Sequence, residues 1–586
     1  MFHVKHFLFL QEFVLFHVKQ CIKLLKKESI RVSIKERADF MKPMQMLKKL
    51  LFFQKPVEGD LFTLEEQQND IKYDVRTQET IDVSQVKVDP NLETNFNYLK
   101  SRFSYPKNND FVMRRIAMRG ARKCFLIFYD GMVSTDAMNL AIINTLQELP
   151  LFTDEELHND PEAIIEQFVS HSQAMATDMM EDIIEEVNFG SCGLFVDGMD
   201  KGFILDVRSW GHRSIDKPEN EQSIYGPQEA FAEMLRNNSA LVRKILKTEK
   251  LICEGTKIGK ISKTRGVLMY ISDLANESLV NEVRRKIDGI TMDYVIAIEE
   301  VAMMLEENTF LITNQLLATE RPDRVARALS EGRVALLLNG SPRALIFPTN
   351  AFELTHSASD AYLRVPFANM SRIVRLVAML SSILLPALYI AITLFHQELI
   401  PTYLLFAISA SRENVPFSTF MEFLLMDFSF EMIREAGIRM PGPIGSTLGI
   451  VGGLILGQAA VSAKIVSPLM IIVIAITGIG SFATSDYSLG WSYRILKWAF
   501  VLLATISGFY GVAIGIFMYA LYIGAQKSFG IPFLSLITKG GSSNIGNSVF
   551  VGPLWKKEKR PDFLSPKDKI QEPKISRKWK IGRKDQ

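Results

Sequence analysis

The sequence predicts a two-subdomain α/β (α+β) body followed by an all-α polytopic membrane domain. Three observations carry this. Charges are dense up to Arg375 and sparse from there to Gln526. Before residue 370, strand-like and helix-like runs mix in two blocks, as in an α/β or α+β body. Beyond it, apolar runs at 376–395, 444–463, 466–484 and 498–526 reach the length that crosses a ~30 Å hydrocarbon core at ~1.5 Å per residue. The chain has 586 residues, too many for one compact core. The expected divisions are a leader at 1–60, soluble subdomains at 61–250 and 251–370, a membrane domain at 371–530 and a basic cytoplasmic tail at 531–586. A formal net charge of +2 gives no basic excess that would call for nucleic acid.

The leader mixes Phe and Leu with Lys and His and has no small-residue cleavage site, so it reads poorly as a signal peptide. Phe-His-Val-Lys occurs at 2–5 and again at 16–19. One coding of that tetrapeptide is its own reverse complement. The repeat is therefore expected to be read-through of a palindromic DNA element, with the mature chain starting near Met41 or Met44. A short amphipathic helix on the membrane is the other reading.

In the first block, residues 123–130 form a strand signal and helical patterns cover 134–147 and 161–187. Residues 193–197 and 202–208 flank a Gly-containing turn, which predicts a β-hairpin. A long helix is expected from Gln228 to Lys250. In the second block a strand is expected at 267–272, a helix at 275–289 and a hairpin from Arg333 to Phe347 about an Asn-Gly-Ser-Pro turn.

No catalytic set emerges, and an enzyme is not expected. Gly255-Thr-Lys-Ile-Gly259-Lys260 is one residue short of a phosphate loop and lacks the hydroxyl after Lys260. There is no His-Glu-x-x-His and no Gly-x-Ser-x-Gly. Cys21, Cys124, Cys192 and Cys253 are too scattered for a zinc site and read as reduced, buried thiols. No metal and no cofactor is expected.

Arg372 and Arg375 stand before the first apolar run and mark that end, with the body before it, as cytoplasmic. Residues 401–440 are expected as a re-entrant or interfacial helical hairpin. Within them Glu431 and Arg434 (i,i+3), and Glu435 and Arg439 (i,i+4), are spaced to pair. The run 444–463 then returns inside at Lys464, 466–484 crosses out and 498–526 crosses back. Four crossings leave both termini cytoplasmic, in keeping with 12 Lys/Arg against 5 Asp/Glu in residues 556–586. Arg494 and Lys497 fall on the outer side in this scheme and count against it.

Within 444–463, Gly445, Gly449, Gly453 and Gly457 share one helical face and read as a packing seam. The opposite face carries Thr447, Val451, Leu454, Gln458 and Ser462. It reads as a polar lining with Val451 and Leu454 as an apolar constriction. Gln458 and Ser462 hydrogen-bonding to neighbouring helices is the plainer reading, and both stay open here.

Several motifs occur together and in order: Thr319-Glu-Arg-Pro-Asp323, Gly332-Arg-Val-Ala, Asn339-Gly-Ser-Pro342, Arg412-Glu-Asn-Val-Pro-Phe417, Phe430-Glu-Met-Ile-Arg-Glu-Ala436, Arg439-Met-Pro, and Gly452-Gly-Leu-Ile-Leu-Gly-Gln-Ala-Ala-Val461 with Ser467-Pro468. Across roughly 100–535 the chain resembles the A subunit of GerA-type spore germinant receptors. The resemblance implies the inner membrane of a bacterial spore and self-assembly into an ion-conducting part. It also implies partnership with a transporter-like B subunit, which binds the nutrient, and a lipoprotein C subunit. Two departures stand out. Tyr225-Gly-Pro-Gln228 occurs where the family commonly has Arg-Gly-Pro-Arg, and Ile312-Thr-Asn314 where it tends to have an aromatic-Pro pair. The function expected is a ligand-gated cation channel subunit, gated through Glu431, Arg434, Glu435 and Arg439. A secondary transporter and a non-conducting scaffold are the alternatives; the lack of an internal repeat argues against the transporter.

Overall fold

The computed structural model describes residues 64, 86–117, 123–144, 146, 174–209, 217–218, 220–307, 311–439, 443–484, 486–534, 550–554, 557 and 559–571. The expected leader, and the helical pattern from 161 to 173, lie outside these residues.

Two five-stranded sheets form the body. The first contains β1 (Phe111–Ala117), β2 (Lys123–Tyr129), β3 (Ala174–Thr177), β4 (Cys192–Val196) and β5 (Gly202–Leu205), ordered β1-β2-β4-β5-β3. The second contains β6 (Leu251–Ile258), β7 (Thr264–Ile271), β8 (Leu317–Thr319), β9 (Val334–Leu338) and β10 (Ala344–Phe347), ordered β6-β7-β9-β10-β8. The order is the same in both. A hairpin is followed by a strand on the far edge, then a helix, then a second hairpin filling the gap. Every pairing is antiparallel, so the body is α+β.

The strands are apolar almost throughout, and β9 is buried at every position. Such strands need cover on both faces. In the second sheet α3 (Leu235–Ile245) and α6 (Pro322–Ser330) cover one face, setting Val242, Val325 and Leu329 against Met269, Ala335 and Leu337. On the other face α4 (Glu277–Asp288) and α5 (Ile298–Leu305) set Leu279, Val283 and Val301 against Leu268, Leu336 and Leu338. The first sheet packs α1 (Leu92–Arg102) and α2 (Met180–Phe189) on the face of Phe125, Ile127 and Phe195.

Both hairpins and the strand and helix expected at 267–289 are present. The residues Gly255–Ile258 of the loop-like motif lie in β6, paired with β7, and form no phosphate loop. The helix expected from Gln228 to Lys250 shrinks to α3. Asn238 explains this: its side chain both accepts from the Ala232 N–H and donates to the Ala232 carbonyl, holding the chain before Met234 out of helix. Since α3 packs on the second sheet, the division between the subdomains falls ahead of residue 235 and not at 250.

Cys124, Cys192 and Cys253 are free and buried. Burial pushes the Cys124 thiol up to about 12 and raises the other two as well. A charged disulfide reagent at pH 8 should therefore leave all three unmodified in the native chain and modify them after denaturation. Native-state labelling at any of them would contradict this packing.

Between 365 and 524 the described residues form a helical bundle: α7 (Val365–Phe395), α8 (Thr402–Arg412), α9 (Thr419–Arg439), α10 (Pro443–Ser462), α11 (Pro468–Phe482) and α12 (Tyr487–Gly524). The start of α7 is fastened to the body, where Arg372 and Arg375 both donate to buried Asp360. Its far end, Phe395 and His396, meets Gly508 of α12. Gly508 has φ +59°, a conformation natural only to glycine, and there α12 turns back on itself. A Cβ on Gly511 would lie 2.0 Å from the Leu503 carbonyl, so the two arms, 487–507 and 509–524, run antiparallel in contact. Both outer ends return to the body: Ser492 donates to the Ile312 carbonyl, and the Ile312 N–H donates to Tyr522 at 2.8 Å.

The contacts fix each helix's direction and correct three expectations. The run 498–526 is not one pass but parts of two, because Gly508 reverses the chain. The segment 401–440 is not a hairpin skirting the bundle. α8 stays at the distal end while α9 runs its full length, from Glu422 beside Ser467 to Arg434 beside Ser481 near the body. α10 then leads away from the body and ends distally at Lys464, the reverse of the expected direction. Arg494 and Lys497 consequently belong to the half of the bundle nearer the body.

Beyond α12, β11 (Lys527–Ser528) and β12 (Ile531–Pro532) make a small hairpin against the body. The tail packs on the body over 559–571. Phe563 and Leu564 are buried, Arg560 donates to the Ser330 carbonyl at the end of α6, and Lys567 donates to the Ser272 carbonyl. Two apolar side chains and two capped carbonyls outweigh a basic composition.

Candidate functional site

α9 is the polar element of an apolar bundle. Spacings of five and four residues turn Glu422, Asp427 and Glu431 toward neighbouring helices. Each meets a base. Glu422, fully buried, accepts from the Ser467 N–H at 2.9 Å and lies 3.2 Å from Arg412 of α8. Asp427 accepts from Lys497 of α12 at 2.5 Å, with both side chains at most 4 % exposed. Glu431 lies between Arg434 and Arg494, 3.3 Å from each. Arg434 also donates to Ser481 of α11 at 3.1 Å. Lys497 stands ten residues into α12, about 15 Å from its start. Ion pairs this deep fix which helix faces which, since separating them leaves a bare charge in an apolar medium.

The expected gating cluster therefore divides. Glu431 and Arg434 belong to the buried ladder, whereas Glu435 and Arg439 pair with each other on the outside. Asp427, Lys497, Glu422, Arg412 and Arg494 were not anticipated as a site. A signal existed: a lysine inside an apolar run requires an acid, and α9 offers acids at helical spacing.

α10 stands differently. Its Leu454, Gln458 and Ser462 are exposed, Leu454 by 67 %. Thr447, Val451, Gly445 and Gly449 lie in the helix, but their side-chain surroundings are outside the description. Gly457 is buried, and a Cβ there would sit 3.7 Å from Ile471 of α11, while at Gly453 it would meet nothing within 4 Å. Tighter approaches than these fall in α11, where a Cβ on Gly478 would lie 2.6 Å from the Phe430 ring and one on Gly480 2.6 Å from the Ala378 carbonyl of α7. Among the described residues no group of three or more His, Cys, Asp or Glu could hold a metal ion.

A folded α+β body is joined to a bundle of apolar helices with ion pairs buried among them. Val365–Phe395 is long and apolar enough to cross a bilayer by length and composition, and Ser488–Gly524 is likewise long and apolar but is divided by Gly508 into two arms. The family model described as Bacillus/Clostridium GerA spore germination protein matches residues 97–563. The chain is 34 % identical over 496 residues to spore germination protein KA of Bacillus subtilis (strain 168), covering 84 % of this chain and 90 % of that one. It is 34 % identical over 470 residues to spore germination protein GerLA of Bacillus cereus, covering 80 % and 94 %. The N-terminal domain of the A subunit of the Bacillus megaterium spore germinant receptor GerK3 aligns at 27 % identity with a TM-score of 0.34, over 44 % of this chain and 96 % of that one. The chain belongs to the GerA family of spore germination proteins, the A-subunit proteins of germinant receptors.

Proposed function

We propose that this chain is the A subunit of a nutrient germinant receptor in the inner membrane of a spore, and that its copies assemble into a ligand-gated cation channel. One observation carries the reading: α10 turns Leu454, Gln458 and Ser462 away from its own bundle. An uncovered glutamine amide in hydrocarbon costs several kcal/mol, so this face needs water or sister helices. A ring of copies supplies both, with Val451 and Leu454 as the apolar constriction that keeps the closed path dry and Thr447, Gln458 and Ser462 as its polar lining.

In this reading α7, α9, α10, α11 and the two arms of α12 make six passes. An even number keeps the tail on the body's side, the cytoplasm in this reading. Nutrient bound by a transporter-like B subunit, with a lipoprotein C subunit alongside, shifts the population toward an open state. The shift reaches α10 through α9, whose Glu431 and Arg434 are held by α11 and α12. Water-borne thiol labelling of Thr447→Cys, Val451→Cys, Gln458→Cys and Ser462→Cys in resting and activated complexes tests this. Modification at 458 and 462, extending to 451 on activation, is expected. Four sealed positions in both states would end the conduction reading.

A further inference from the structure

A cavity of about 980 Å³ lies where the second subdomain, the start of α7 and the tail meet. Eight basic side chains line it against four acidic ones. Four of the eight already have carboxylate partners: Arg324 with Glu221, Arg333 with Glu353, Arg372 with Asp360 and Arg560 with Asp568. Those pairs occupy Glu353 and Asp360, and Glu331 faces Arg333. Among the described residues, Arg327, Arg364, Lys557 and Lys559 have no carboxylate partner. They come from three separate elements: α6, the residue capping α7, and the tail. Asp562, exposed, is the remaining acid. Arg327 is exposed, with its guanidinium 5.7 Å from the Tyr362 ring centre.

Unpaired cations converging on one cavity repel one another until an anion joins them. Guanidinium and ammonium groups are matched in charge and geometry to phosphate oxygens. The surroundings narrow the source. Arg364 caps α7, and Phe367 and Met370, a turn along, are 65 % and 61 % exposed. Leu554 of the tail, also on the cavity wall, is 65 % exposed. Cations beside uncovered apolar side chains at the root of a membrane-type helix are what an anionic headgroup meets.

We propose that this cavity binds a phosphate-bearing anion, either an anionic phospholipid headgroup or a soluble phosphate, and so clamps the tail and α6 to the root of α7. The lipid source rests on the membrane placement above; the phosphate chemistry does not. The test is thermal unfolding of the purified full chain in a neutral detergent with short-chain phosphatidylglycerol, short-chain phosphatidylcholine, inorganic phosphate or chloride at matched ionic strength.

Phosphatidylglycerol should raise the transition saturably, and phosphatidylcholine and chloride should not. The exposed pair Arg327→Gln with Lys559→Gln should weaken the effect about tenfold while leaving the unliganded transition in place. The charge-matched pair Lys257→Gln with Lys260→Gln, exposed on and beside β6, should keep it. An equal rise with inorganic phosphate supports the soluble source, and a rise confined to phosphatidylglycerol supports the lipid. No rise with either, or one that the Arg327 and Lys559 variant retains in full, overturns the proposal, whatever the labelling of α10 shows.

Discussion

Replacing Arg243 by methionine should destabilise the body by about 3–5 kcal/mol, the cost of stripping one partner from a buried charge pair. Arg243 is 2 % exposed and joins the two subdomains. From α3 it donates to Asp110 at 2.5 and 2.7 Å, to the Asn108 side chain at 2.9 Å and to the Leu251 carbonyl at 3.1 Å. It also lies 4.0 Å from the Tyr129 ring centre. Burial works against its charge, and the adjoining Asp110 carboxylate outweighs burial, holding the guanidinium protonated well above its ordinary range. Methionine fills the volume and leaves the Asp110 carboxylate without its cation. Thermal unfolding of the full chain in detergent should show a transition lowered by roughly 10 °C. Lys87→Met, which breaks the exposed pair with Asp178, should leave it unmoved. Equal transitions for the two variants would mean that Arg243 does not hold the junction.

Lys497→Met should be the most damaging single change in the bundle. It leaves Asp427 buried with nothing to balance it, at a cost of about 3–5 kcal/mol or more. The variant should unfold earlier in detergent and accumulate poorly in membranes. Asp427→Asn combined with Lys497→Met removes both charges and should recover most of the loss, because an apolar or neutral pair of similar volume is tolerated where half an ion pair is not. If the double variant is no better than Lys497→Met alone, the pair is not what binds α9 to α12. Because Phe423 and Trp498 pack edge to face beside the pair, 5.5 Å between centres, an unrelated cavity effect is limited.

Much of the body could be read from residues. The Asn339-Gly-Ser-Pro342 turn, the short apolar runs around it and the capped helix at 277–288 are local matters of turn chemistry and spacing. The change in charge density at Arg375 likewise marks the apolar helical segment without tertiary information. What failed was direction. An apolar run says that a segment wants a dry environment, not how many times it enters or which way it faces. The 38 residues of α12 look like one long pass until Gly508 adopts a left-handed backbone against Phe395 and His396. α9 looked too charged to enter, because its acids are legible in sequence and their partners, 63 to 70 residues away on another helix, are not.

The amino-acid order by itself determined the class of the body's segments and, through its motifs, pointed to the family, because helical periodicity, turn residues and hydropathy act over a few neighbours. Only the tertiary structure decided that the body repeats one strand order twice, that Arg243 and Lys497 are paired, and that the tail closes a basic cavity at the root of α7. Those depend on which distant groups meet, and a charge is stable in an apolar interior only when its partner has been brought there by the fold.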